Sequence, residues 1–347
     1  MQTIFTLLLM TSLMLISLTG PVSAETKGES VSVTMIWVRA SINRDTDIVR
    51  FKDRWFVVCC EKSAEFSKDA ALRVISSKDG ARWESIALLE GPIPKKSYRY
   101  DPAFTVRSDV KLKVSALGMR TFAWFSDDGR TWSERKRLGR DHFVYGRDVW
   151  NNGIAMKFAH GSHDGNASTI QLLSSKDGMS FQTLFQETVE YIPDDAAIIF
   201  DGDRVHCVVS RQAANPVERG WEFGRQFQAG LLGTADAPYT DWKWKRIDAP
   251  LCVPKLLRLP DGQIIAAVGL SDKKDCIALC EFELSTGKLK EFLALPVAVE
   301  NLSQTAFHRQ IVGLAHHDGH VWVSSVSYTH LTLPTIPFEC CGRWGGG

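Results

Sequence analysis

The sequence repeats one seven-residue motif three times, as Ser77-Lys-Asp79-Gly80-Ala-Arg-Trp83, Ser126-Asp-Asp128-Gly129-Arg-Thr-Trp132 and Ser175-Lys-Asp177-Gly178-Met-Ser-Phe181. All copies read S-x-D-G-x-x-[W/F], and their first serines lie 49 residues apart and then 49 again. Each copy follows an apolar, strand-like run and precedes another. A fixed period of about 40 to 50 residues is typical of a propeller blade. The repeat therefore predicts an all-β propeller whose blades share one kind of turn.

The composition of the motif predicts a hairpin turn. Glycine supplies the positive φ angle that a tight hairpin needs. The aspartate carboxylate and the serine hydroxyl can bond the turn backbone, and the aromatic residue begins the next strand. We expect a structural role for Ser77, Asp79, Gly80 and Trp83, and for the equivalent residues of the other two copies.

The motif resembles the Asp-box of the sialidase-like, or BNR-repeat, propellers. In that family the Asp-boxes fasten the blades and lie away from the active centre. The resemblance therefore implies that these turns carry no catalysis.

Composition excludes several other classes of protein. With 41 basic and 40 acidic residues in 347, the net charge is +1, and nucleic acid is not an expected partner. The 8 cysteines form neither a disulfide framework nor a zinc-binding pattern. We expect no metal and no cofactor, a carbohydrate ligand, and a monomer.

The first 24 residues read as a signal peptide. Ile4 to Leu18 is almost wholly apolar, and Val22-Ser23-Ala24 supplies a small-residue cleavage pattern. The alternative is an uncleaved membrane anchor, for which the apolar run is short. The pattern predicts an exported protein, periplasmic or secreted, without a membrane span after cleavage.

Residues 25–326 are predicted to form the propeller, with six blades. Val31 to Val38 is placed to complete the last blade, as one terminus often does in closed propellers. Residues 327–347 do not continue the pattern, and we interpret them as a non-native tail that leaves the last blade truncated. The alternative is a genuine disordered tail.

Polar residues near the starts of the innermost strands are the site candidates, because a propeller arranges these starts around its central funnel. They are Asp47, Asp101, Arg147 with Asp148, Asp194 with Asp195, and Lys255, joined by Glu61 and Arg211 late in second strands. Glycoside hydrolysis needs one protonated carboxyl group and a second group that acts as nucleophile or base. For each residue, a turn cap or an inter-blade salt bridge is the alternative.

Over roughly residues 40 to 326 the chain looks closest to exported bacterial sialidase-like proteins. Thr46-Asp47-Ile-Val-Arg50-Phe51 matches their T-D-L-I-R-F strand, and Pro193-Asp194-Asp195-Ala196-Ala197-Ile198 matches their P-N-E-A-T-L segment. The positions that differ from the sialidase pattern bear on the predicted activity more than the matching positions do. Sialidases grip the substrate carboxylate with three arginines, and only Arg211 stands at such a position, whereas Cys60 and Leu270 replace the others. Asp195 stands where the pattern has Glu. Sialidases also use a tyrosine nucleophile, and Tyr328 is not counted for that role because it lies in the suspect tail.

The leading hypothesis is an exo-acting, exo-α-sialidase-like glycoside hydrolase. Its acid and base candidates are Asp47, Asp101, Asp195 and Glu61, and its substrate-binding candidates are Arg50, Arg147, Arg211 and Lys255. These cations would hold an anionic or polyhydroxylated substrate. The second hypothesis is a non-catalytic glycan- or protein-binding propeller, and the third is a scaffold without a small-molecule ligand.

Overall fold

The computed structural model describes residues 22–26, 29–37, 42–63, 70–90, 101–118, 121–140, 143–161, 168–212, 227–270, 276–296, 311–327 and 330–337. These residues form 25 strands, all paired antiparallel, and they contain no helix. No segment of the described ranges is therefore a helix that could cross a membrane. The predicted signal peptide lies almost wholly outside them.

The chain begins with a hairpin and then forms its sheets one after another. The hairpin pairs β1 (Val22–Thr26) with β2 (Glu29–Trp37). Sheet 1 contains β3 (Ile42–Phe51), β4 (Arg54–Lys62), β5 (Ala71–Ser77) and β6 (Glu84–Leu89). Sheet 2 contains β7 (Asp101–Val106), β8 (Leu112–Leu117), β9 (Thr121–Ser126) and β10 (Lys136–Leu138). Sheet 3 contains β11 (Phe143–Tyr145), β12 (Val149–Asn151), β13 (Ile154–Gly161), β14 (Ser168–Ser175) and β15 (Gln182–Val189).

The fourth sheet has seven strands, and one long strand joins its two parts. Its strands are β16 (Ile192–Asp201), β17 (Arg204–Gln212), β18 (Phe227–Ala235), β19 (Lys243–Arg258), β20 (Ile264–Leu270), β21 (Cys276–Glu283) and β22 (Lys288–Pro296). The first half of β19 pairs with β18 and its second half with β20. Division at β19 would give two blades here, but the count of six blades stays a prediction.

The last sheet joins both ends of the described chain. It contains β23 (Gly313–His317), β24 (His320–Ser327) and β25 (His330–Pro337), followed by β2 and β1. Because β2 pairs with β25, the prediction that the N-terminal segment completes the last blade is confirmed. The expected truncation is corrected, because β25 supplies the strand between β24 and β2. The interpretation of 327–347 as non-native concerns the origin of the segment and stays a prediction.

The ring closes where the first sheet meets the last. The Thr46 N–H donates to the Ile311 carbonyl at 3.0 Å, and the Thr46 hydroxyl donates to the Ser324 carbonyl at 2.8 Å. A Cβ atom on Gly313 would lie 2.4 Å from the Ile48 nitrogen, so only glycine lets β23 approach β3 this closely. These contacts join residues that are more than 250 positions apart in sequence.

Apolar side chains between neighbouring sheets form the core. Phe56 and Val58 of sheet 1 pack with Phe104 and Trp124 of sheet 2 in one cluster. Inner strands such as β4 are buried on both faces, because each sheet is covered by two others, and they therefore read as continuous apolar runs. The outer strand β15 is mostly exposed or half-buried.

The three S-x-D-G turns have the predicted conformation. In each, the serine Oγ donates to the aspartate Oδ1 at 2.7–3.0 Å and accepts the glycine N–H at 2.7–2.9 Å. Bonds from the turn backbone lower the pKa values of Asp128 and Asp177 to about 2. The glycines have φ between +65° and +76°. The hairpin prediction is confirmed.

Candidate functional site

A central cavity of about 410 Å³ opens among the innermost strands. Its walls come from β7, the segment that joins β11 and β12, β16, and the second half of β19. The charged side chains and the imidazole that line it are Asp101, Arg147, Asp148, His160, Asp195, Lys255 and Arg258. The volume lies in the usual range of small-molecule sites. Most of the residues that were predicted from the starts of the innermost strands therefore line this one cavity.

Asp47 lies beneath this lining and is fully buried. Its Oδ2 accepts the Phe104 N–H at 2.7 Å and lies 3.5 Å from Nη1 of Arg147. Its Oδ1 lies 3.7 Å from Nζ of Lys255. Asp47 has no exposed surface and lies between the two cations, and its acid/base role stays a prediction.

Lys255 is the cation at the centre of the carboxylates. Its side chain is 14% exposed. Burial lowers the pKa of Lys255, and Asp47, Asp101 and Asp195 oppose that effect while Arg147 adds to it. All four charged groups therefore lie near the Lys255 ammonium, as expected for a ring of strand starts.

Arg147 lies in the short segment between β11 and β12, and this segment is fixed on both sides of it. The Gly146 N–H donates to the Phe158 carbonyl at 2.8 Å. The Asp148 carboxylate bonds the ammonium of Lys113 and lies 3.5 Å from that of Lys157. With its neighbours held in this way, Arg147 has a defined direction toward Asp47.

The Lys113, Asp148 and Lys157 side chains form a buried charge cluster, with exposures of 1%, 3% and 2%. Burial lowers the pKa of Lys157 to about 8, against the opposing attraction of Asp148. The Lys157 ammonium lies 3.5 Å from the ring centroid of Phe181, which adds a cation–π contact. Burial is the largest single effect on the pKa of Asp148, and it raises that pKa. The two lysine partners together outweigh burial and lower the pKa below its ordinary value, so the carboxylate is ionised.

Besides Asp148, the carboxylates of Asp101 and Asp195 line the cavity. Asp101 begins β7, and its residue is 6% exposed. Asp195 is fixed through its backbone, because its N–H donates to Ser210 Oγ at 2.9 Å and Ser210 Oγ donates to the Asp195 carbonyl at 3.1 Å. His160 lies in the same wall, and burial lowers its pKa, so the imidazole is neutral at neutral pH. Among the described residues, no group of three His, Cys, Asp or Glu side chains could hold a metal ion.

Glu61 does not reach the cavity. Its Oε1 accepts the Trp37 indole N–H at 2.7 Å, and its Oε2 accepts Nε and Nη2 of Arg73 at 3.1 and 3.0 Å. A carboxylate with these three donors links β2, β4 and β5. The structure thus places Glu61 in an ion pair with Arg73 outside the cavity, and its catalytic role stays a prediction.

Two predicted substrate-binding arginines also lie elsewhere. The Arg50 guanidinium lies 5.3 Å from the Trp55 ring centroid and donates to the Lys78 carbonyl at 3.4 Å, at the S-x-D-G end of sheet 1. Arg211 donates to the Ala229 carbonyl, and its guanidinium lies 5.6 Å from the Tyr191 ring centroid. Neither lines the cavity. Cys60 is buried and Leu270 half-buried, and Tyr328 lies outside the described residues.

Sequence reasoning missed Lys113, Lys157 and His160. The two lysines interrupt apolar strands, as Leu112-Lys113-Val114 and Met156-Lys157-Phe158. A lysine inside a strand that is buried on both faces must have a partner. That signal was present in the sequence, although the identity of the partner was not.

No protein-family model matches the sequence, and no curated protein is similar to it at a significant level. The fold is similar to solved structures. A protein of unknown function from Dyadobacter fermentans has a TM-score of 0.69 at 13% identity, over 88% of this chain and 98% of that one. An α-L-arabinanase from Penicillium chrysogenum, complexed with arabinobiose, has a TM-score of 0.63 at 12% identity, over 91% and 98%. A Trypanosoma rangeli sialidase in complex with sialic acid has a TM-score of 0.59 at 11% identity, over 92% of this chain and 57% of that one. The chain is an all-β propeller.

Proposed function

We propose that the protein is an exported, exo-acting glycoside hydrolase. The observation that supports this most is the central cavity, where Asp101 and Asp195 line the wall around Arg147 and Lys255. An arabinanase and a sialidase have the same fold. A pair of carboxyl groups at a site of this size is what hydrolysis of a glycosidic bond requires.

Asp101 and Asp195 would perform the chemistry. One carboxyl group protonates the leaving oxygen as the glycosidic bond breaks, and the other acts as base toward water or as nucleophile toward the anomeric carbon. Water supplies the hydroxyl group of the released sugar and the proton that restores the acid. Arg147 and Lys255, held by Asp47, supply a fixed positive field beside the reacting carboxylates.

The finer proposal, sialidase-like specificity, depends on the sequence resemblance. It is supported by the matches around Asp47 and Asp195, and weakened by Cys60 and Leu270 at two pattern arginine positions. The substrate panel must therefore include sialosides beside aryl glycosides of neutral sugars and of uronic acids.

The test is release of the aryl group from that panel, with Asp101→Asn and Asp195→Asn as variants. Each variant should lose at least about 100-fold in kcat/KM, as expected when a general acid or base is removed. Asp203→Asn, an exposed carboxylate outside the cavity, is the matched control and should keep full turnover. No turnover of any substrate by the wild-type protein would reject the proposal.

Export is a second part of the proposal, supported by the apolar run and by Val22-Ser23-Ala24. N-terminal sequencing of the protein from its native host tests it. A mature chain that begins at Glu25 is expected, and a chain that retains residues 1–24 would contradict cleavage.

A non-catalytic glycan-binding propeller is the second candidate. The observation that favours it is the replacement of two of the three pattern arginines by Cys60 and Leu270, together with the position of Arg211, which donates to the Ala229 carbonyl and does not line the cavity. Calorimetric binding of a glycan that is recovered unchanged would favour this candidate over hydrolysis.

A further inference from the structure

The central cavity has a charged end and extends well beyond it. Asp101, Arg147 and Asp195 lie near the Lys255 ammonium, and these four side chains form the charged end. Asp101 is the first residue of β7, and Val106, the last residue of the same strand, lines the same cavity. The two residues are five positions apart, which is about 17 Å along an antiparallel strand. The lining therefore continues along the whole length of β7.

Apolar residues of the other innermost strands line the cavity at the level of Val106. Val49, Ile199 and Leu257 each lie one or two positions before the last residue of β3, β16 and β19. The innermost strands of a propeller run in the same direction around its axis, so their last residues lie at the same end of the cavity. We refer to Val49, Val106, Ile199 and Leu257 as the apolar end.

The polar side chains at the apolar end bond within the protein. Thr105 Oγ1 donates to the Asp148 carbonyl at 3.4 Å. Arg258, the last residue of β19, donates to the Phe200 carbonyl at 2.8 Å and lies 3.1 Å from Asp201. These two side chains therefore have acceptors of their own, and the neighbouring valine, isoleucine and leucine side chains offer a ligand only apolar contacts.

The two ends of the cavity suit different parts of one ligand. Burying sugar hydroxyl groups against apolar side chains costs free energy, because the hydroxyl groups lose their hydrogen bonds to water. An alkyl or aryl group gains free energy from the same burial, roughly in proportion to its apolar area. A second sugar residue therefore fits the apolar end poorly, and a hydrocarbon substituent fits it well.

We propose that the cavity binds a glycoside of a hydrophobic alcohol or phenol, with the sugar at the charged end and the hydrocarbon part at the apolar end. This rests on the proposed function of the cavity as a sugar site, and it names the leaving group. Hydrolysis adds water across the bond between the anomeric carbon and the glycosidic oxygen, and it releases the sugar and the free alcohol or phenol.

The experiment is calorimetric binding of methyl, butyl and hexyl glycosides of D-glucose, L-arabinofuranose and sialic acid to the intact protein. The sugar is constant within a series, so a change in affinity comes from the hydrocarbon chain. Each buried methylene should raise the affinity about fourfold, the equivalent of about 0.8 kcal/mol. 1-Hexanol is the control without a sugar and should bind more weakly than the hexyl glycosides. Equal affinity for the methyl and hexyl glycosides in every series would overturn the proposal.

Val106→Asn tests the apolar end directly. Val106 is 37% exposed, so a polar side chain there should leave the fold intact. The variant should lose at least about fivefold in affinity for a hexyl glycoside and keep its affinity for the methyl glycoside. Val110→Asn is the matched control, because Val110 is 58% exposed and does not line the cavity. Equal affinity of the two variants for the hexyl glycoside would contradict the place given to the hydrocarbon part.

The outcomes distinguish this proposal from the proposed hydrolysis. Affinity that rises with chain length, without turnover of any glycoside, supports the binding mode and rejects the hydrolase. Turnover of the aryl panel, together with equal affinity for methyl and hexyl glycosides, supports the hydrolase and overturns the binding mode. Failure of every glycoside to bind also overturns the binding mode, and turnover of the aryl panel then decides the hydrolase separately.

Discussion

The Lys255 ammonium lies 3.7 Å from Oδ1 of Asp47, so the seven-stranded sheet and sheet 1 meet at the centre of the ring. Asp47 also accepts the Phe104 N–H of sheet 2 and lies 3.5 Å from Arg147 of sheet 3. One buried carboxylate therefore ties four parts of the propeller together. The same contacts fix the two cations that face the cavity, so the stability of the ring and the geometry of the site depend on one residue.

Asp47→Ala should destabilise the protein by about 3–5 kcal/mol, because it leaves two cations without their buried partner. Asp47→Asn should cost less, since the amide oxygen can still accept the Phe104 N–H. The measurement is the free energy of unfolding from urea titration. Asp109→Asn removes a half-exposed partner of Arg107 and serves as the control, with an expected cost below about 1 kcal/mol. Equal costs in Asp47→Ala and the control would contradict the role given to Asp47.

Glu61→Gln should reduce stability and leave sugar binding unchanged, because Glu61 holds Arg73 and Trp37 outside the cavity. A double-mutant cycle with Arg73→Met measures the pair directly, and a coupling of about 1 kcal/mol is expected for a partly buried ion pair. Calorimetry with a sugar that binds the wild-type protein is the second measurement. Loss of sugar binding at unchanged stability would contradict this expectation and support a role of Glu61 in the site.

The sequence could predict the turns and most of the cavity lining, because both depend on local chemistry and a repeated spacing. Three turns of one composition fix where strands begin, and strand starts meet at the centre of a ring. Asp101, Arg147, Asp195 and Lys255 were found in this way.

Arg50 and Asp47 show why the rest could not be predicted. Both belong to one matched strand motif, but they are three positions apart, which is about 10 Å along a strand and on opposite faces. Asp47 therefore lies under the cavity while Arg50 lies beside the Lys78 turn. The partner of Lys113 was equally inaccessible, because Asp148 comes from another sheet and pairing between sheets leaves no periodic signal.

Gly129→Ala should cost more than Gly153→Ala, although both glycines have nearly the same positive φ, +76° and +74°. A Cβ atom on Gly129 would lie 2.3 Å from the ring of Phe56, which is fully buried, whereas no described atom lies within 4 Å of one on Gly153. Gly153→Ala should cost about 1–2 kcal/mol for the left-handed backbone. Gly129→Ala should add about 1–3 kcal/mol for overpacking. Equal unfolding free energies in the two variants would show that packing of sheet 1 against the turn contributes nothing.

Stability should rise with pH above neutrality because of Lys157. Its pKa is about 8 in the folded protein, whereas the ordinary value is 10.5, so between these values the unfolded chain binds more protons than the folded one. The free energy of unfolding should therefore increase through this window, by about 3 kcal/mol from this residue alone. Below pH 8 the cost of burying the charged ammonium is constant.

Lys157→Met should remove that part of the rise and leave stability at pH 7 unchanged or higher, because Asp148 keeps Lys113 and the thioether can pack on Phe181. Lys255, whose pKa is also lowered, should supply the rise that remains. Lys176→Met, at an exposed turn position, is the control and should keep the full rise. Urea midpoints between pH 7 and 10.5 provide the measurement. If the free energy of unfolding rose equally with pH in Lys157→Met and in the control, burial of the Lys157 ammonium would not be the cause of the rise.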